Sequence, residues 1–230
     1  MSGDKTTPVN QTFQLIQTAD GSRSIHDLEF GVPFHSIHGA VTESRHVFVA
    51  AGLHHTGAAA DYIHVLEVGF GTGLNALLAA IWAREHEVHV CYTGIEPRPL
   101  PRALIPKLGY PQVLNEPEPT LAAIHDALRL TDIHPFFKCR VVHTTLKAFR
   151  PEDQFNLVFY DAFAPNAQPE MWSRDTLQYL AGMLAPDAVL VTYCAQGQFK
   201  RHLRSVGFTV EPLPGPPGKR EMVRATFRPA

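Results

Sequence analysis

Apolar runs of strand length alternate with segments of helical spacing along most of this sequence. From Asp61 onward, the runs at 62–68, 88–95 and 155–160 are rich in Val, Ile, Tyr and Phe, residues that favour strands. The stretch at 74–85 is apolar on most of its faces and predicts a buried helix. Strands separated by helices predict parallel β-α-β units with right-handed crossovers. The chain is therefore expected to form a doubly wound α/β sheet.

The pattern predicts seven strands in this sheet, at 62–68, 88–95, 136–142, 155–160, 188–193, 208–213 and 221–227. Helices are predicted at about 74–85, 100–108, 118–130, 169–183 and 198–206, with a short helix between the third and fourth strands. The last two strands are separated only by Pro-Gly-Pro-Pro-Gly, which is too short for a crossover helix. We therefore expect them to form an antiparallel pair.

The first 60 residues predict an extension in front of this sheet. An Asp-Gly pair at 20–21 lies between two partly alternating segments, which is a signal for a β-hairpin. Apolar positions at helical spacing follow from Gly39 and predict a helix that ends near Gly52. We divide the chain into an N-terminal extension packed on the core (1–60) and a core domain (61–230).

Composition is that of an ordinary globular enzyme, with 230 residues, 45% hydrophobic and 18% charged. No apolar run reaches the roughly 18 residues that a membrane-spanning helix needs, so no membrane partner is expected. The three cysteines are widely spaced in predicted buried strands, which favours free thiols and a cytoplasmic protein. None of the 13 histidines joins a set with zinc-ligand spacing, so no metal is expected.

Three alternating glycines follow the first strand of the core, in the segment LEVGFGTGLN at 66–75. Glycine lets the loop turn sharply and lets a ligand approach the backbone, and ligands of such sheets bind at the carboxyl ends of the strands. A dinucleotide loop needs a sixth-position glycine where Leu74 stands, whereas acidic-x-G-x-G-x-G is typical of S-adenosylmethionine loops. Glu96 ends the second strand, where it can accept hydrogen bonds from both ribose hydroxyls. The alternative is a plain tight turn beside a solvated Glu96.

Asp161 follows the fourth strand, at the same edge of the predicted sheet. An alkylammonium with a pKa near about 10 must lose a proton before it attacks a methyl group, and a carboxylate can hold the amine and accept that proton. The alternative is a helix N-cap or turn aspartate. Trp172 and Tyr193 are candidates for the wall of an acceptor pocket. A core position is the commoner alternative for Trp172 and an equal alternative for Tyr193.

Three segments together resemble the methyltransferase domain of MnmC-type tRNA-modification enzymes and its stand-alone relatives. They are FGTGLN at 70–75, DAFAP with PEMW over 161–172, and PGPPGKREM at 214–222. GAVTESRHVF at 39–48 also resembles the N-terminal helix of that family. The similarity covers about residues 25–228. It implies a Rossmann-like class I methyltransferase fold, with a mostly parallel seven-stranded sheet that ends in an antiparallel hairpin.

The resemblance implies methylation of the aminomethyl nitrogen of 5-aminomethyl(-2-thio)uridine at the tRNA wobble position, with S-adenosylmethionine as cofactor. It implies that Asp161 faces the target amine and that Lys219 and Arg220 lie near the tRNA backbone. The implied cofactor cradle is Glu67, Gly69, Gly71, Gly73, Asn75 and Glu96. Thr144 stands where the family usually has an acidic residue near the adenine, and we expect its side chain to bind the cofactor there by a hydrogen bond to the adenine amine. No oxidase domain follows in this sequence, so we expect a separate enzyme to make the aminomethyl group.

Charge is unevenly distributed, since residues 198–230 carry 7 basic and 2 acidic side chains. A basic end of this kind can supply phosphate contacts, and a splayed wobble base can stack beside Phe163 or Trp172. The basic set is Lys200, Arg201, Arg204, Lys219, Arg220, Arg224 and Arg228. Three alternatives stay open: ordinary solvated charges, a small-molecule N- or O-methyltransferase on the same fold, and a non-catalytic tRNA-binding relative.

Overall fold

A small antiparallel sheet begins the part of the chain that this computed structural model describes, residues 12–58 and 60–229. Its strands are β1 (Phe13–Gln17), β2 (Arg23–Asp27) and β3 (Val32–Pro33). The predicted hairpin is thereby confirmed. A continuous helical segment follows, made of α1 (Ala40–Ser44), a π-helical stretch (Arg45–Leu53) and α2 (His54–Gly57). The predicted helix is confirmed, but it continues five residues beyond Gly52 because that glycine has helical geometry and packs against the core.

Eight strands form the central sheet of the described residues. Those strands are β4 (Tyr62–Val68), β5 (His89–Ile95), β6 (Thr131–His134), β7 (Phe137–Val142), β8 (Phe155–Tyr160), β9 (Leu184–Thr192), β10 (Phe208–Pro214) and β11 (Glu221–Phe227). Their order is β10-β11-β9-β8-β4-β5-β7-β6. Neighbours from β9 to β7 are parallel. The predicted terminal hairpin is confirmed, since β11 is antiparallel to both β10 and β9.

Helices cover both faces of this sheet. They are α3 (Leu74–His86), α4 (Ile105–Leu108), α5 (Tyr110–Leu114), α6 (Pro119–His125), α7 (Arg174–Ala181) and α8 (Gly197–Ser205), with 3-10 turns at Arg102–Leu104 and Pro169–Trp172. Alternate side chains of a central strand enter different hydrophobic layers. Val65 packs in the layer that holds α3 and the N-terminal helical segment, and Leu66 packs in the layer that holds α7 and α8.

Two local predictions were wrong. The sheet has an eighth strand, because the helix predicted over 118–130 ends at His125 and β6 then pairs antiparallel with β7. The segment Thr-Asp-Ile-His is too short to show an alternating pattern, so its pairing with β7, rather than its sequence, defines it as a strand. The short helix expected between the third and fourth strands is only a hydrogen-bonded turn at 145–149.

The three cysteines are free and buried, as the sequence predicts. Cys91, Cys139 and Cys194 expose 7%, 0% and 5% of their surface, and so pack as small hydrophobic residues. Within the described ranges, no helix has the length and apolar character needed to cross a membrane.

The N-terminal extension shares its core with the central sheet. Phe48 is 1% exposed, and its ring centroid lies 5.1 Å from that of Phe159 on β8. We propose that the extension and the core domain unfold as one cooperative unit. Phe48→Ala should therefore lower the midpoint of a single denaturant transition, at a cost of about 3–5 kcal/mol.

Leu128→Ala is the matched control, because Leu128 is 62% exposed and its truncation should change the free energy of unfolding by less than about 0.5 kcal/mol. Two separate transitions, or an unchanged midpoint for Phe48→Ala, would contradict the proposal.

Candidate functional site

A cavity of about 300 Å³ opens at the carboxyl ends of β4, β5 and β8. The chain leaves β4 toward β5 on one side and returns to β8 on the other, so this is the topological switch point where α/β sheets bind ligands. Its wall comes from the extension at 27–35, the glycine loop at 68–72, the end of β5 at 95–98, the turn at 145–147 and parts of the segments at 161–163 and 168–176. The predicted glycine loop, Glu96 and Asp161 are thus brought together.

Two glycines let the loop backbone lie against its neighbours. Gly69 has a φ of +90°, and a Cβ atom there would lie 2.5 Å from the carbonyl oxygen of Asp161. Gly71 has a φ of +52°, and its Cβ would lie 3.0 Å from the ring of Phe34. Both line the cavity, whereas Gly73 lies outside the wall and caps α3 in a left-handed conformation. Glycine is required at 69 because any side chain would push β4 and β8 apart.

Glu96 lies at the carboxyl end of β5 and is 9% exposed in the cavity wall. Its Oε2 accepts a hydrogen bond from the Gly71 N–H at 2.9 Å, and Oε1 accepts one from the Arg98 N–H at 2.8 Å. Burial raises the pKa of Glu96, and these two hydrogen bonds oppose that rise. Each oxygen keeps a lone pair, so the carboxylate can still accept hydrogen bonds from a diol.

Asp161 lies in the cavity wall directly after β8. Its Oδ2 accepts a hydrogen bond from the Asn75 amide at 2.9 Å, and the same amide donates to Glu67 Oε1 at 2.8 Å. Burial and the nearby Glu43 carboxylate raise the pKa of Asp161 to about 7. Glu67 is fully buried, and burial followed by the charge of Asp161 raises its pKa well above the usual range. Glu67 and Asn75, which were predicted to line the cofactor cradle, lie outside the cavity wall, and the Asn75 amide holds Asp161 from the core side.

Two aromatic side chains hold the backbone that follows Asp161. Trp172 donates its indole N–H to the Phe163 carbonyl at 2.8 Å, and Tyr193 donates its hydroxyl to the Ala162 carbonyl at 2.7 Å. Trp172 is 4% exposed, and neither aromatic lines the cavity. Phe163 does line it. The structure therefore favours the core alternative for Trp172 and Tyr193, with Phe163 as the aromatic residue that faces the cavity.

The extension supplies cavity residues that the sequence did not single out. The rings of Phe30 and Phe34 each lie 5.2 Å from the ring of Phe163, measured between centroids. Arg98 fastens the extension to the end of β5 through ion pairs with Asp27 at 3.2 Å and Glu29 at 2.9 Å. No motif signals these contacts, because the Arg98 ion pairs join segments about 70 residues apart and the contacts with Phe163 join segments about 130 residues apart.

Thr144 lies outside the cavity wall. Its N–H donates to the Val142 carbonyl at 2.9 Å, and this tight turn brings the following residues, Thr145, Leu146 and Lys147, into the wall instead. The adenine-side residue predicted after the third strand is therefore displaced by at least one position.

Most of the predicted phosphate-binding side chains are paired with carboxylates. Lys200 pairs with Glu221, Lys219 with Glu43, Arg224 with Glu211 and Arg228 with Asp187. Among the described residues, Arg201, Arg204 and Arg220 are exposed and have no ion pair. Lys219 therefore differs from the expectation, since it faces inward to Glu43 while its neighbour Arg220 faces solvent.

Comparison with known proteins identifies the relatives of this chain. A family described as S-adenosyl-L-methionine-dependent methyltransferase matches residues 133–228. The second half of the chain is therefore similar to methyltransferases. The "tRNA 5-methylaminomethyl-2-thiouridine biosynthesis bifunctional protein MnmC" of Aromatoleum aromaticum is 31% identical over 221 residues, which is 86% of this chain. The protein of the same name from Cupriavidus necator is 34% identical over 215 residues, or 85% of this chain.

The chain spans about a third of the length of these curated relatives, 33% and 32% respectively. Among solved structures, MnmC2 from Aquifex aeolicus superposes with a TM-score of 0.76 at 22% identity, over 97% of this chain and 73% of that one. The fold is that of a Rossmann-like methyltransferase. These findings confirm the predicted fold class and the resemblance to the MnmC-type family.

S-adenosylmethionine, the cofactor named by the matched family, fits the residues that line the cavity. Gly69 and Gly71 line the cavity without side chains, so a ligand can approach the backbone of the loop directly. The buried Glu96 carboxylate has free lone pairs for ribose hydroxyls. Apolar side chains, including Leu146, line the wall and can cover an adenine ring.

Gly69→Ala should weaken S-adenosylmethionine binding by about tenfold or more, because the new methyl group clashes with the Asp161 carbonyl and a left-handed φ costs alanine about 1–2 kcal/mol. Both effects drive the loop out of the conformation that lines the cavity. Isothermal titration calorimetry measures the change. Gly182→Ala is the control, since Gly182 has a right-handed φ of −67° and its Cβ would meet nothing closer than 3.4 Å. Equal affinity for the two variants would refute this account of the loop.

Proposed function

We propose that this protein transfers a methyl group from S-adenosylmethionine to the aminomethyl nitrogen of 5-aminomethyl(-2-thio)uridine at the tRNA wobble position. The observation that carries the proposal is the Asp161 carboxylate, held by Asn75 in the wall of the cavity that the glycine loop and Glu96 also line. The names of the MnmC relatives, which specify 5-methylaminomethyl-2-thiouridine biosynthesis, support the choice of substrate.

The side chains have separate tasks in this reaction. When bound, the cofactor supplies an electrophilic methyl group on a positively charged sulfur. Glu96 accepts hydrogen bonds from the ribose, and Phe163 offers an aromatic face to the acceptor base. Asp161 binds the substrate ammonium, accepts its proton and leaves the nitrogen lone pair free to attack. Because burial raises the pKa of Asp161 to about 7, the carboxylate is a stronger base than an exposed aspartate and takes that proton more readily.

We propose that a separate enzyme generates the aminomethyl group, because methyl transfer needs a nitrogen that is already attached to the base. Three free, buried cysteines support a reducing compartment, the cytoplasm, which also holds tRNA.

A small-molecule amine is the second candidate acceptor. The pairing of Lys200, Lys219, Arg224 and Arg228 with carboxylates favours it, because these cations are already neutralised. The decisive assay incubates the protein and methyl-labelled cofactor with tRNA that lacks the methyl mark, then digests the RNA and identifies the labelled nucleoside. Label in 5-methylaminomethyl(-2-thio)uridine supports the proposal. Cofactor binding with transfer only to small amines would replace it.

Asp161→Asn should lower methyl transfer about 10²–10⁴-fold, because the amide cannot accept the proton. Its amide oxygen can still accept the hydrogen bond from Asn75, so cofactor affinity by calorimetry should stay close to wild type. Asp153→Asn, an exposed position far from the cavity wall, is the control and should leave transfer unchanged. Wild-type rates in the Asp161 variant would remove this residue from the mechanism.

Replacement of the unpaired arginines should weaken tRNA binding. In Arg201→Ala/Arg204→Ala/Arg220→Ala, the KM for tRNA should rise, and the slope of log affinity against log salt should fall by about 0.7–0.9 for each phosphate that the variant no longer neutralises. Transfer to a small amine should persist. Arg129→Ala, an exposed arginine between α6 and β6, is the control. An unchanged salt slope in the triple variant would place the RNA on another face.

A further inference from the structure

Lys219 lies at the end of the β10–β11 hairpin and reaches into the protein. Its ammonium lies 3.9 Å from the ring centroid of Tyr193, and it forms a hydrogen-bonded ion pair with Glu43 of α1. The side chain of Glu43 is 8% exposed, and its second oxygen accepts the Ser36 N–H at 2.7 Å. The Glu43–Lys219 pair is therefore fixed on both sides.

This pair is next to the Asp161 segment. Tyr193, whose ring lies under the Lys219 ammonium, donates its hydroxyl to the carbonyl of Ala162, the residue after Asp161. The fixed contacts thus run from the hairpin through Tyr193 to the backbone beside the proposed catalytic carboxylate. Glu43 lies close enough for its charge to raise the pKa of Asp161.

We propose that Lys219 is a positioning residue for methyl transfer, whose ammonium offsets the charge of the buried Glu43 so that Asp161 stays ionised to receive the substrate amine. This inference rests on the proposed function. It assigns to Lys219 a role beside the Asp161 segment, in place of a contact to the tRNA backbone.

Glu43 and Lys219 carry opposite charges and therefore have opposite effects on the pKa of Asp161. Glu43 raises the pKa of Asp161, whereas Lys219 and the Asn75 hydrogen bond lower it. The other titratable groups that face Asp161 are Glu67, Tyr92 and Tyr193, while His35 and Cys194 face Lys219. Burial lowers the pKa of His35 to about 4, so this ring is uncharged at neutral pH and cannot replace Lys219.

The test measures the pH dependence of kcat/KM for tRNA at saturating cofactor. Lys219→Met leaves Glu43 unbalanced, so the acid limb of the profile should move up by about half a pH unit or more. Glu43→Gln leaves Lys219 unbalanced, so the limb should move down. The double variant Glu43→Gln/Lys219→Met removes both charges and should return the limb toward wild type, as should Lys219→Arg, which keeps the cation.

A purely structural role predicts a different result. Each single variant then loosens the same contact, so the two variants would not move the acid limb in opposite directions. Arg84 and Glu116 provide a matched control, as an ion pair with a similarly buried carboxylate, 6% exposed, outside the cavity wall. Arg84→Met should leave the acid limb where it is. Shifts of the same sign in Lys219→Met and Glu43→Gln, or none in either, would overturn the proposal.

A second measurement needs no substrate. In carbon-13 NMR of the carboxyl groups, with the Asp161 signal assigned by its loss in Asp161→Asn, the titration midpoint should rise in Lys219→Met and fall in Glu43→Gln. If wild-type protein fails to methylate tRNA, the proposed function fails while this titration still tests the charge coupling. Midpoints that stay fixed in both variants would refute the coupling whatever the substrate.

Discussion

The site depends on one amide group placed between two buried carboxylates. Asn75 donates from its amide nitrogen to both Glu67 and Asp161, at 2.8 and 2.9 Å. Buried carboxylates repel each other and lose hydration, so without a shared donor both would be expensive to keep in the core. The amide lies in the first turn of α3, directly after the glycine loop, and so the conformation of that loop determines where Asp161 is held. The glycine loop and the proposed base are thereby built as one unit.

Backbone packing imposes the second constraint on the same place. The Gly69 Cα lies so near the Asp161 carbonyl that no Cβ fits, which keeps the ends of β4 and β8 together at the switch point of the sheet. Trp172 and Tyr193 then hold the next two carbonyls, of Phe163 and Ala162. Each successive residue after Asp161 is therefore fixed by a different element, and the segment can present a carboxylate and an aromatic ring without being part of a helix or strand.

Sequence patterns predicted what depends on local chemistry. The strand–glycine–helix order located the cavity, and Glu96 and Asp161 were found because each ends a strand at the same edge of the sheet. The patterns missed what depends on distant contacts. β6 exists through its pairing with β7, and Thr144 is turned out of the wall by a hydrogen bond to Val142. The inward direction of Lys219 follows from Glu43, which no spacing connects with it.

The contact between Glu43 and Lys219 joins residues 176 positions apart and brings the two ends of the described chain together. The extension contributes Glu43 and the cavity wall at 27–35, and the terminal hairpin contributes Lys219, so neither end alone completes the surroundings of Asp161. Closing so long a loop costs chain entropy, which the packing of Phe48 on Phe159 and the ion pairs of Arg98 help to offset. The charge of Asp161 depends on both Glu43 and Lys219. It is therefore a property of the fully folded chain, and it changes if either end is out of place.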